Sequence, residues 1–248
     1  MSIGARLLAT SGAIFASRLA GAGIMLVVQA LIARHYGSAS LGRYLVAVAA
    51  INILAMLLPL GFQTITAYFA AAYRAKQQGR ALRLFMRTAL IQTSLTAAAA
   101  FAAGQALARA GFLRESFTPE AVAAIVIAAA AVAFIMLSGA TLTALKHAIL
   151  GMTGDALLRP LLVGISLAVV LLGSVPGDPV EKLLKLQSGF LTVLAAAAAA
   201  AVVILVRRIP VGDSVASNER RRWWFYAAPW AIVALASDFF FDITTLHL

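Results

Sequence analysis

The sequence predicts an all-α, polytopic transmembrane bundle of about seven helices. Three observations carry that prediction. Of 248 residues, 62% are hydrophobic and only 12% are charged, whereas a soluble domain is typically about half apolar and about a quarter charged. Mean hydropathy is +0.95. The apolar residues also fall in blocks long enough to cross a bilayer, which takes about 20 residues of helix, and short basic stretches separate them.

Seven segments qualify, at 10–33, 44–70, 85–108, 121–145, 156–175, 186–206 and 225–248. Helix is expected in each because hydrocarbon offers no partner to backbone N–H and C=O groups, and none shows the alternation of a barrel strand. The first is longer than a signal-peptide core and more spans follow, so it reads as a retained helix. In the second, PLGF at 59–62 should interrupt the helical bonding, because proline lacks an N–H. The third and fourth carry Gln92, Thr93, Ser94 and Thr96, then Ser138, Thr141 and Thr143, which read as interhelical glue. Alanine runs at 97–100, 128–131 and 195–201 permit close packing. The fifth opens on Arg159-Pro160; proline suits a first helical turn, and Arg159 reads as an interface anchor. The seventh begins after Trp223-Trp224, read as an aromatic interface anchor.

Charge orients these spans. Arg6, the basic run from Arg74 to Arg87, Lys146, Arg159 and the five arginines from Arg207 to Arg222 give one side 13 Lys or Arg, against six on the other. The positive-inside rule then places the N-terminus in the cytoplasm of a multi-pass plasma-membrane protein. The net charge of +11 sits mostly between apolar blocks, where it meets anionic lipid headgroups, so nucleic acid is not an expected partner. The domain reading is a six-helix lobe at 1–206, a basic cytoplasmic linker at 207–224, and a seventh helix at 225–248 that begins a second lobe.

Polar residues inside the spans mark the candidate site. Arg18 lies roughly 12 Å inside the cytoplasmic end, too deep for comfortable exposure to lipid tails. Ser11 and Gln29 fall within about 20° of it on the helix, so this stripe should face protein or a wet cavity. Asn52, Pro59, Gln63 and Thr66 read as one face of span 2. Asp238 and Asp242 share a face of span 7, where ionised carboxylates need water, a cation, an arginine or a proton. Na⁺ or H⁺ coupling is one reading of that pair, and a buried salt bridge or protonated acid is the other. An enzyme is not expected. The chain has no cysteine, His35, His147 and His247 are scattered, and DFFFD lacks the second acidic cluster that a magnesium-dependent prenyl-diphosphate enzyme needs.

Arg18 in SRLAG, the ARHYG and LGRY stretches, Leu-Gly in span 2, the basic loop after it, RPLLV in span 5 and the Asp-bearing span 7 resemble the polysaccharide and O-antigen flippases of the multidrug/oligosaccharidyl-lipid/polysaccharide exporter superfamily. The resemblance implies two six-helix lobes around a central cavity, of which this chain would hold the first lobe and one helix of the second. The expectation is therefore a fragment that needs its C-terminal lobe. The resemblance further implies alternating-access movement of undecaprenyl-diphosphate-linked oligosaccharide across a bacterial inner membrane, alongside polysaccharide polymerase machinery. Arg18 would meet the diphosphate, Gln29, Asn52 and Gln63 would bond to phosphate or sugar, and Asp238 and Asp242 would bind a coupling cation or set cavity charge. A cation-coupled drug exporter of the same superfamily, or a nonenzymatic membrane assembly partner, is the alternative.

Overall fold

A computed structural model describes the backbone of residues 3–112, 117–173, 177–212 and 218–246, with side chains from residue 10 to residue 233. Every regular element among these residues is helical: α1 (Ile3–Leu57), α2 (Phe62–Ala75), α3 (Gly79–Arg109), α4 (Pro119–Ala144), α5 (Ala148–Thr153), a π turn (Gly154–Leu158), α6 (Arg159–Leu172), α7 (Pro179–Arg207) and α8 (Glu219–Leu246). Five helices among the described residues are long and apolar enough to cross a membrane, counting α1 as one and α5 to α6 as one. The protein is a polytopic helical membrane bundle.

As a straight rod, α1 would be far longer than a bilayer is thick. Instead it folds at Gly37, whose φ of 84° and ψ of 168° lie outside helical space and favour a residue without Cβ. The two arms meet the same short segment: Gly21 lies against Ala156 and Pro160, and Asn52 accepts a hydrogen bond from Arg159. In an unbroken helix those residues would stand about 46 Å apart. The sequence suggested a polar loop between spans 1 and 2; a hinge at Gly37 takes its place.

Span 2 is interrupted where PLGF predicts. Leu60 and Gly61 have φ of 46° and 81°, and the break separates α1 from α2. Phe62 N–H donates to Pro59 O, which leaves Leu58 O without its usual helical donor. The Thr96 hydroxyl of α3 supplies one at 2.5 Å. The break also resets the helical phase, so Asn52, Pro59, Gln63 and Thr66 do not form one face: Asn52 is exposed, Pro59 and Thr66 are buried, and Gln63 is half-buried.

The central helix is α4. Its sequence is apolar on all sides, which suits a fully enclosed helix, and its buried face includes Ile125, Val132, Ile135 and Leu137. It packs against α1, α2, α3, α5 and α7. At one end, Thr118 and Asp178 cap α4 and α7 through Ala121 N–H and Val180 N–H, each followed by Pro at the first helical position. Arg43 pairs with Asp178. Glu181 accepts bonds from Thr118 at 2.9 Å and Lys185 at 2.6 Å.

At the opposite, arginine-rich end, Gly79 and Arg80 N–H groups donate to the Pro210 and Val211 carbonyls, both at 2.8 Å. This pins the start of α3 beside the end of α7. Helix α8 begins at Glu219, inside the segment predicted as linker. Trp223 is fully buried, donates to the Tyr73 hydroxyl at 2.8 Å and stands edge-on to Phe85. Tyr73 in turn donates to Glu219 at 2.6 Å. Trp223 is therefore a packing residue, whereas the three aromatics that follow it, Trp224, Phe225 and Tyr226, are exposed.

Thr96→Val removes the donor to Leu58 O while keeping side-chain volume. It should cost about 1–3 kcal/mol, read as a lowered thermal midpoint of the detergent-solubilised protein. At the other end, the Lys185 bond, helped by Thr118, holds the Glu181 carboxyl below its ordinary range. A depressed folded value means that this stabilisation is present above the unfolded pKa of about 4.3 and is lost as pH falls through the folded value. Glu181→Gln should therefore flatten the acid limb of a stability–pH curve. At neutral pH it should cost under about 1 kcal/mol, because Lys185 is half exposed and water screens the pair.

Candidate functional site

The first arm of α1, α2, α4 and the π turn surround an open groove of about 740 Å³. Arg18 and Met25 line it from α1, Gln63 from α2, Met136 from α4, and Asp155 and Pro160 from the fifth span.

Its walls depend on residues without side chains. A Cβ on Gly21 would overlap the Ala156 carbonyl oxygen. Gly139 of α4 and Gly151 of α5 face each other so closely that a Cβ on either would lie 2.5 Å from the other's carbonyl oxygen. Such small-residue crossings let membrane helices approach backbone to backbone.

The π turn follows from the sequence around Pro160. Proline offers no N–H to the carbonyl four residues earlier, here that of Ala156. The Arg159 N–H donates five residues back, to Gly154 O. This widening coincides with the charged part of the wall, in keeping with the tendency of π turns to occur at functional sites. Arg159 Nη1 donates to Asp155 Oδ1 at 3.2 Å, and Nη2 donates to Asn52 Oδ1 at 2.5 Å. Its side chain is 19% exposed, against 43% for Asp155. Arg159 is thus neutralised on the groove side and tied to the second arm of α1 behind it, so it is more than the interface anchor its position suggested.

Arg18 differs. It is exposed, and among the described residues nothing accepts a hydrogen bond from it or pairs with it. A guanidinium in a membrane helix with no carboxylate partner is a strong local demand for an anion or water.

Of the predicted residues, Arg18 and Gln63 come together at this groove. Gln29 is half-buried farther along the same arm, outside the groove lining, and Asn52 is engaged by Arg159. The side chains of Asp238 and Asp242 lie outside the described residues. Sequence reasoning missed Asp155 as a lining carboxylate. Its signal was present in GDALLRP, where an acid precedes an arginine by four residues, the spacing of a helical ion pair, inside a block otherwise fit to span. Among the described residues no three His, Asp or Glu side chains gather as a metal site would require.

No protein-family model, curated protein or solved structure matches the chain. Fold and groove together are consistent with a multi-pass membrane protein of transport type in general.

Gly21→Ala tests the architecture of the wall. The methyl has nowhere to go without separating α1 from the π turn, so the substitution should destabilise by about 1–3 kcal/mol, measured as a lower thermal midpoint. Gly23→Ala, whose Cβ would meet nothing within 4 Å, should not.

Proposed function

We propose that this chain is a lobe of a flippase that carries undecaprenyl-diphosphate-linked oligosaccharide across the bacterial plasma membrane for polysaccharide or lipopolysaccharide biosynthesis. The observation that carries the reading is an exposed guanidinium, Arg18, without a partner among the described residues, which lines with the Gln63 amide an open groove of about 740 Å³ between membrane helices. A diphosphate offers the oxygens that a planar guanidinium binds in bidentate fashion. An amide at the same wall suits phosphate or sugar hydroxyls. The groove's openness suits a substrate with a charged head and an isoprenoid tail, since the head can enter while the tail stays in lipid. The resemblance in spans 1, 2 and 5 points the same way.

In this reading the arginine-rich end and the N-terminus face the cytoplasm, following the excess of 13 basic residues over six. The lobe rocks against a second lobe facing the groove, so that the head is exposed first to one side and then to the other. The protein supplies binding and orientation without bond chemistry.

One observation favours a second reading. The half-exposed Asp155 carboxylate lines the same groove and would attract an organic cation, as a cation-coupled drug exporter requires.

Undecaprenyl diphosphate titrated into the protein in nanodiscs tests both. Under the flippase reading, Arg18→Ala weakens binding roughly tenfold or more, uncharged undecaprenol binds poorly, and Asp155→Asn retains diphosphate binding. In cells, Arg18→Ala in the intact transport system abolishes sugar-lipid export while membrane insertion persists; normal export rejects the assignment of Arg18. Tetraphenylphosphonium binding that is lost in Asp155→Asn and kept in Arg18→Ala selects the exporter.

A further inference from the structure

The geometry points to a dedicated site for an anionic phospholipid on the outer surface of the bundle, between α3 and α7 at the arginine-rich end. It is independent of whatever occupies the Arg18 groove. Arg83 and Arg87 of α3 and Arg207 of α7 line the mouth of a groove of about 390 Å³, which continues past Leu90, Ile91 and Val203. The bonds from Gly79 and Arg80 to the Pro210 and Val211 carbonyls bring these arginines together, because they fix the start of α3 against the end of α7.

The polarity of the groove matches a phospholipid in order and in length. From Arg83 to Ile91, and from Arg207 back to Ala199, is eight residues, about 12 Å along each helix. Both helices therefore run from guanidinium to aliphatic side chain in the same direction over the same distance. A phosphate at the arginines leaves an acyl chain lying along the aliphatic part.

Local charge makes the phosphate more than an incidental guest. Arg83 Nε is held by the Gly79 carbonyl, and none of the three arginines has a carboxylate partner among the described residues. The first turn of α3 carries no acid, although the positive end of a helix dipole favours one. Arg87 also lines an adjoining groove with Arg220 and Trp224, which adds another positive charge beside the same headgroup. Basic pockets between membrane helices favour anionic headgroups, and neutral or zwitterionic lipid leaves the arginines unneutralised.

Native mass spectrometry of the purified protein, with phosphatidylglycerol or phosphatidylcholine added, tests the site. The expected result is retention of one phosphatidylglycerol in preference to phosphatidylcholine by roughly fivefold or more. That preference should be lost in the triple variant Arg83→Gln/Arg87→Gln/Arg207→Gln. It should be kept in Lys76→Gln/Arg80→Gln/Arg221→Gln, which removes three charges from the same end without touching the groove. Ala199→Phe fills the aliphatic end with every charge in place, and should also lose the retained lipid, so the proposal stays falsifiable if the arginine variant fails to fold. Equal retention of phosphatidylcholine, equal loss in the two triple variants, or undiminished retention in Ala199→Phe overturns the site.

Discussion

The Asp155–Arg159–Asn52 chain is the interaction on which the rest of this bundle depends. An arginine inside an apolar span needs partners for its charge and its N–H donors, whether protein groups, water or a bound anion. Asp155 meets the charge and Asn52 takes a further donor. Because Asn52 belongs to the second arm of α1, while Gly21 of the first arm presses on Ala156 in the same turn, this turn is where both arms of the hairpin are held. The hinge at Gly37 makes the fold-back geometrically open, and the π turn gives it a destination.

That arrangement also explains why a charged groove persists in a protein so rich in alanine and leucine. The widened turn at Gly154–Leu158 carries Asp155 into the groove wall, while Arg18 is exposed and has no partner among the described residues. Neutralising Arg159 locally lets Arg18 present a net positive charge to the groove without a second bare cation beside it. Tyr73, by contrast, acts as a neutral connector: burial and the bond it donates to Glu219 both raise its phenol above the ordinary value, which preserves its role between Glu219 and Trp223.

Much of the fold was legible because hydrocarbon imposes simple rules. The third, fourth and sixth apolar blocks became the helices α3, α4 and α7, Pro59 and Gly61 marked a real interruption, and Arg18 and Gln63 share one groove. What escaped was phase and partnership. A helical projection assumes one uninterrupted rotation, and the left-handed backbone at Leu60 and Gly61 discards it, so Thr66 is buried while Gln63 reaches the groove. Trp223 looked interfacial because tryptophan is common there, yet its indole N–H has a specific acceptor 150 residues earlier in Tyr73. No local pattern encodes a pairing at that separation. Asp155 and Arg159 were readable as a pair by spacing, but their role required knowing that α1 doubles back to meet them.

The anchorage of α8 has a mechanical consequence. Its first turns are fastened to α2 and α3 through Trp223, Tyr73 and Glu219, while Pro229 lies inside the helix less than two turns beyond the fastening. Ala227 and Ala231, on either side of that proline, both lie against Gly61, so a bend at the missing N–H of residue 229 pivots on the contact with α2. With about 25 Å of helix beyond Pro229, a tilt of about 10° there sweeps the tip through roughly 4 Å while the aromatic root keeps its grip.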